Sequence, residues 1–186
     1  MLTDQKIELI RSKFHEFNQC YKEKNFENAL KCLEKILNLD PENFEALFFL
    51  GILNAQNKKF NEAKKIFLNL IKINPNYPNI YYNLGIVNYN LNELKESIKN
   101  YQQTLKINKN HTDALNNLAK IYKELNQLNK AKLYYEECLA INPNKKNACL
   151  GYSGLLLKLN DHINGLKYLQ KGAGLIRFNN SNVEII

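Results

Sequence analysis

The sequence predicts an all-α fold, a solenoid of antiparallel helix pairs, on three observations. Sliding the chain by 34 residues brings small residues into register: Ala29, Ala63, Ser97, Ala131 and Gly165 form one series, and Gly51, Gly85, Ala119 and Ser153 another. The same slide aligns Phe26, Phe60, Leu94, Leu128 and His162, apolar until the last member. Pro41, Pro75 and Pro143 fall on the same period. A fixed period of this length is the mark of stacked supersecondary units. Five units follow, at 10–43, 44–77, 78–111, 112–145 and 146–179, so that the array takes up 1–179 and leaves 180–186 as an apolar tail.

The first unit opens on a helix to about Lys24 that Thr3 or Asp4 can cap, with Ile7, Ile10, Phe14, Phe17 and Tyr21 three or four apart. Its second helix, from about Phe26, ends at Asp40-Pro41, because proline disfavours helix in the residue before it. In the second unit Leu47, Leu50, Gly51 and Asn54 are expected to face the partner helix, on which Phe60, Ala63, Phe67 and Leu70 answer them. Gly51 and Ala63 are small because the helices cross closely there. The third and fourth units repeat the pattern, the third from Pro78, whose fixed φ suits a first helical turn. The fifth is degraded: His162 and Gly165 are weak choices, and Gly172 and Gly174 should fray or end its second helix. The tail LIRFNNSNVEII is apolar without helical period.

Charge and chemistry narrow the function. The net charge of +8 raises nucleic acid as a partner. Only Arg11 and Arg177 are arginines, and the lysines are mixed with acids such as Glu23, Glu27, Glu34, Glu62 and Glu96, which describes a solvated surface rather than a footprint. The heavy use of Asn reads as a chain-wide bias. Neither a signal-peptide core nor a membrane-length apolar run is found, and a cytoplasmic protein is expected. Cys20, Cys32, Cys138 and Cys149 fall at interior positions as reduced thiols. His15, His111 and His162 lack partners at metal-ligand spacing, and His111 is expected in solvent at a unit junction. Gly172-Ala173-Gly174 follows a helix, so it fails as a phosphate loop. No enzyme, cofactor or metal site is supported.

The Leu50-Gly51, Leu84-Gly85 and Leu118-Ala119 pairs, Tyr81 and Tyr122, the small series, the aromatics Phe67, Tyr101 and Tyr135, and Pro75 and Pro143 together resemble the tetratricopeptide repeat. The likeness covers nearly the whole chain, although the familiar Trp is absent from every unit. It implies a right-handed superhelix whose first helices line a concave groove, and a protein-binding scaffold. Helical angles of about 100° per residue place Phe48, Phe49, Ile52, Tyr82, Asn83, Ile86, Asn116, Asn117 and Lys120 on that groove. Phe48, Phe49, Ile52, Tyr82 and Ile86 would form an apolar shelf. Asn83 and Asn117 are similar to the asparagine ladder of O-GlcNAc transferase repeats, and carboxamides can hold an extended peptide backbone. Packing of Phe48 and Tyr82 on the neighbouring helix is the competing reading. A clamp for chaperone tails is not supported, since Phe14 stands where its lysine belongs. The partner expected is a protein or peptide. Recruitment of an associated enzyme (KGAGLIRF resembles the end of arrays that accompany transferases or oxygenases), RNA binding, and self-association through unit five and the tail are the alternatives.

Overall fold

A computed structural model describes residues 3–174, 176–179 and 182–185. Ten helices are found among them: α1 Asp4–Lys22, α2 Phe26–Leu39, α3 Phe44–Gln56, α4 Phe60–Ile73, α5 Pro78–Asn90, α6 Leu94–Ile107, α7 Thr112–Glu124, α8 Leu128–Ile141, α9 Lys146–Lys158 and α10 His162–Ala173. The chain divides into two compact units, Met1–Ser97 and Ile98–Ile186, the division falling within α6.

Every hairpin turn uses one device. Lys24, Lys58, Asn92, Asn126 and Asn160, spaced by the repeat, have φ between 56 and 62°. In each case the next residue's N–H reaches back five residues, as Lys59 N does to Asn54 O at 2.8 Å and Gln127 N to Tyr122 O at 2.8 Å. These are Schellman turns, which satisfy the last carbonyls of the first helix through one left-handed residue. Asn tolerates that conformation better than most side chains, so its recurrence here is structural. The junctions between pairs use Asn as well. The side chains of Asn74, Asn108 and Asn142 accept from the N–H two residues on, at 3.1 to 3.2 Å, and Asn25 and Asn43 cap α2 and α3. The surplus of Asn, expected to be a bias of composition, thus closes turns and helix ends at a fixed period.

In the first unit the small residues sit at the crossings. A Cβ built on Gly51 would lie 2.7 Å from Phe67 Cε1, and Phe67 is fully buried. Ser97 is buried too, and its hydroxyl donates to Gly85 O at 2.8 Å. The deepest positions of α3 are Ala46 and Leu53, which neither of the two expected faces contained. They join Ile10, Phe17, Ala29, Leu33 and Ile36 in a core with α1 and α2. An interior first helix therefore packs against the preceding pair as well as its own partner, and α3 is apolar over most of its circumference. Ile80 and Val87 do the same on α5, within a core that includes Phe67, Leu70 and Leu84.

The second unit repeats the pattern with Ala114, Ile121, Ala148 and Leu155, all essentially inaccessible. Ser153 is also buried, and its hydroxyl has no hydrogen-bond partner. An unpaired buried hydroxyl costs about 1 to 3 kcal/mol. Ala119, one repeat earlier, shows that a methyl fits. Ser153→Ala is expected to stabilise the protein by roughly 1 kcal/mol, read as a higher Tm by circular dichroism. An unchanged or lower Tm would mean that the hydroxyl is satisfied.

Helix α10 ends at Ala173, with Gly174 at φ 103°, a conformation open to glycine. Beyond it, Ile176–Asn179 and Asn182–Ile185 pair as an antiparallel hairpin in which Ile176 opposes Ile185 and Phe178 opposes Val183. The tail was expected to lack a helical period, and none is present in the described residues. Its apolar residues alternate at period two, which is a strand signal. Met1, Leu2, Leu175, Asn180, Ser181 and Ile186 lie outside the described residues.

Candidate functional site

The nine expected groove residues do not share one environment. Phe48 is a packing residue: it is 9% exposed, and its ring lies 6.2 Å from that of Phe67 and 5.4 Å, edge-on, from that of Tyr77. Helical angle put it on an open face, but α4 and the start of α5 close over that face. Phe49 is half-buried against α1, with ring centroids 4.8 Å from Phe17 and 6.1 Å from Tyr21. Ile52, Tyr82, Asn83 and Ile86 are half-buried in the same unit. Asn83 turns its amide inward along its own helix, donating to Asn79 O at 2.7 Å. Of the expected apolar shelf, Phe48 follows the competing reading and packs inside, and the other members are half-buried.

In the second unit, Asn116, Asn117 and Lys120 do meet in one place. They project from α7 into a cavity of about 380 Å³, closed on its other sides by Lys123, Tyr135, Asn147 and Gly151. Their convergence follows from helical spacing on α7 and from the step of one repeat to α9. Asn117 Nδ2 donates to the Tyr101 hydroxyl at 3.2 Å, and its Oδ1 accepts from Asn116 Nδ2 at 3.4 Å, so the pair is oriented from beneath. Each carboxamide keeps further hydrogen-bonding capacity.

Tyr135 and Gly151 form the floor. Tyr135 is 2% exposed, and a Cβ built on Gly151 would stand 2.7 Å from its Cζ. The ring therefore lies directly on the backbone of α9. Burial, with smaller effects of Glu124 and Cys138, pushes the phenol up to about 12, so it remains a donor at ordinary pH. Lys123 reaches from α7 across to α9, its Nζ 3.5 Å from Gly151 O. Lys120 has Glu124 at 4.0 Å, one turn on. None of the seven lining residues is an acid. Lys123 and Tyr135 were absent from the expected site. The signal for Lys123 was available: it follows Lys120 by three residues, one helical turn.

His111 was expected in solvent and instead caps α7. Its Nδ1 accepts from Ala114 N at 3.2 Å. Burial holds the imidazole below its ordinary value, with Lys145 acting in the same sense and Asp113 and a backbone hydrogen bond opposing. A protonated Nδ1 cannot accept, so the cap requires the neutral ring. On acidification the unfolded chain takes up its proton first, near pH 6.5, and stability is lost from there downwards. A drop in Tm between pH 7 and 5 is expected, and His111→Asn, which caps without titrating, should reduce that drop. Identical slopes in the two proteins would refute the role. A cap of this kind contributes about 0.5 to 2 kcal/mol.

Among the described residues no cluster of His, Cys, Asp and Glu could hold a metal, and no helix is long and apolar enough to cross a membrane.

Comparison with known proteins agrees with the helix pairs. Two family models, each described as tetratricopeptide repeat, match residues 21–85 and 76–144. Comparison with curated proteins gives no match. Among solved structures, PilF of Pseudomonas aeruginosa is similar with a TM-score of 0.81 and 18% identity, over 95% of this chain and 80% of that one. A MamA protein is similar at 0.72 and 22%, over 89% and 90%. YrrB, described as a TPR protein with an unusual peptide-binding site, is similar at 0.64 and 20%, over 84% and 80%. At these identities the likeness speaks for the fold, an all-α solenoid of helix pairs. With the repeat period, the helix pairs and both family models in agreement, the chain belongs to the tetratricopeptide-repeat family.

Proposed function

We propose that this chain is a scaffold that binds a peptide or protein segment, and that the cavity over α7, α8 and α9 receives it. The observation that carries the reading is the lining itself: three carboxamides, two ammonium groups and a buried phenol converge on a recess floored by the backbone of Gly151. Carboxamides both donate and accept, so they suit an extended main chain whatever its sequence. YrrB gives a precedent within the fold for peptide binding. In the first unit the half-buried Ile52, Phe49, Tyr82 and Ile86 offer apolar contact of their own. Nothing in the lining supplies a nucleophile with an adjacent base, which favours a binding role over a reaction. Four free cysteines, three of them buried, suit work in the reducing cytoplasm.

The test is selection from a random peptide library on the immobilised chain, followed by affinity measurement of the enriched peptides. Expected are peptides that weaken roughly tenfold, about 1.4 kcal/mol, on the combined change Asn116→Ala and Asn147→Ala, with helicity unchanged. No enrichment over blank beads, or equal affinity of the double variant, would overturn the reading.

A further inference from the structure

We infer that the outer face of α10 is an interaction surface that receives an amphipathic helix from a partner protein, seated as a further first helix would be. This surface is distinct from the recess over α7–α9.

The repeat itself says what belongs there. Early in the chain α2 receives α3 on Leu30, Leu33 and Leu37, which pack with Ala46, Leu50 and Leu53 in one core. The same three positions of α10 hold Leu166, Leu169 and Ala173, so two leucines recur unchanged. Where a first helix follows, the middle member is closed off: Leu33 and Phe67 are inaccessible, and Tyr101 and Tyr135 are 2% exposed. Leu169 is only half-buried, and Leu166 is 37% exposed. Beyond Gly174 the described residues continue as strands, so they supply no helix for this face.

A second, independent observation is the position one turn before Leu166. Glu27, Asn61, Lys95 and Asn129 occupy it in the other four pairs, polar and exposed each time. In the last pair it is Ile163, 83% exposed. Residues three apart are surface neighbours on a helix, so Ile163 widens the strip that Leu166 begins. A polar position turned apolar only in the last pair is what a docking edge requires.

The occupant is read from the helices that fill the equivalent faces. They present small or apolar residues at i, i+4 and i+7, as Ala46, Leu50 and Leu53 on α3 or Ala114, Leu118 and Ile121 on α7. The spacing recurs on α5 and α9. A second copy does not offer it. At those positions α1 carries Ser12, Glu16 and Gln19, and burying them on leucine would strand polar groups without partners. Two α10 helices face to face would both lack the inserting pattern, and both carry Lys167 and Lys171 with no acid to answer them. The partner is therefore a helix of another protein, small or apolar at i and apolar at i+4 and i+7.

The probe is a fluorescein-labelled peptide with the sequence of α7, held helical by a hydrocarbon staple because an isolated helix of this length is marginal. Fluorescence anisotropy on the full chain is expected to show binding that falls roughly tenfold when the peptide carries Leu118→Asn and Ile121→Asn. Leu166→Glu in the chain should weaken the parent peptide to a similar degree, with helicity and Tm unchanged, because that side chain is exposed. Asn116→Ala with Asn147→Ala should leave the peptide bound as before. Equal binding of the two peptides, binding that survives Leu166→Glu, or binding lost with the two asparagines would overturn the inference. The converse test changes α1: Ser12→Ala, Glu16→Leu and Gln19→Leu together give it the inserting pattern. That protein is expected to self-associate in sedimentation velocity, and Leu166→Glu in the same chain to restore the parent's sedimentation. Absence of self-association at unchanged helicity would overturn the inference. So would a parent chain that already self-associates through Leu166, since a second copy would then be the occupant.

Discussion

Phe67→Ala is expected to destabilise the protein by about 3 to 5 kcal/mol, enough to unfold a marginal repeat array at ordinary temperature. The ring is inaccessible to solvent and lies against the backbone of Gly51, where a Cβ would come within 2.7 Å of it. It belongs to the core formed with Leu70, Ile80 and Leu84, and Phe48 packs edge-on at 6.2 Å. Removing it leaves a void that backbone on one side and a second aromatic on the other cannot collapse to fill. The converse change tests the same contact. Gly51→Ala gains about 1 kcal/mol of helix propensity but forces the ring aside at about 1 to 3 kcal/mol. A combined Gly51→Ala and Phe67→Leu protein should lose less than the sum of the two, because the smaller side chain makes room for the methyl. Urea unfolding followed by circular dichroism reads all of these. A loss below about 1 kcal/mol for Phe67→Ala would show that the ring is not at the crossing.

Tyr135→Ala should cost a similar amount, about 3 to 5 kcal/mol, and should also abolish peptide binding, since the same ring closes the core and floors the cavity. Tyr135 is nearly inaccessible, and its ring lies 5.9 Å from that of Tyr152. Tyr135→Phe separates the two roles. It keeps the packing and removes only the hydroxyl, so the expected stability change is within about 1 kcal/mol while affinity for a bound peptide falls. A Tyr135→Phe protein that binds unchanged would show that the phenol is structural alone. One that unfolds would show that the hydroxyl holds a hydrogen bond the fold depends on.

The two sites show how far a linear pattern reaches. The period of small residues announced the crossings, and Gly51 against Phe67 is where it said a crossing would be. It did not announce the second neighbour of each first helix. A helical wheel drawn for an isolated pair has one buried face and one open face, and on that wheel Phe48 belongs outside. With α1 and α2 behind α3, and α4 and α5 ahead of it, Ala46, Leu53 and Phe48 are all buried, and the open strip narrows. The same narrowing explains Phe49, which leans on Phe17, while Asn83 donates its amide to its own helix backbone. His111 was misjudged for a related reason: a lone polar residue at a junction gives no sign in sequence of whether its ring faces water or a helix end.

By itself the sequence determined the all-α repeat, the helix pairs and the close crossing at Gly51. These are matters of period, and period survives in one dimension. Tertiary structure alone decided which residues of the first helices stay accessible, that Lys123 and Tyr135 join Asn116, Asn117 and Lys120 in one recess, and that the final residues pair as strands. Accessibility is set by neighbours that arrive from elsewhere in the chain. No spacing within a single helix contains them.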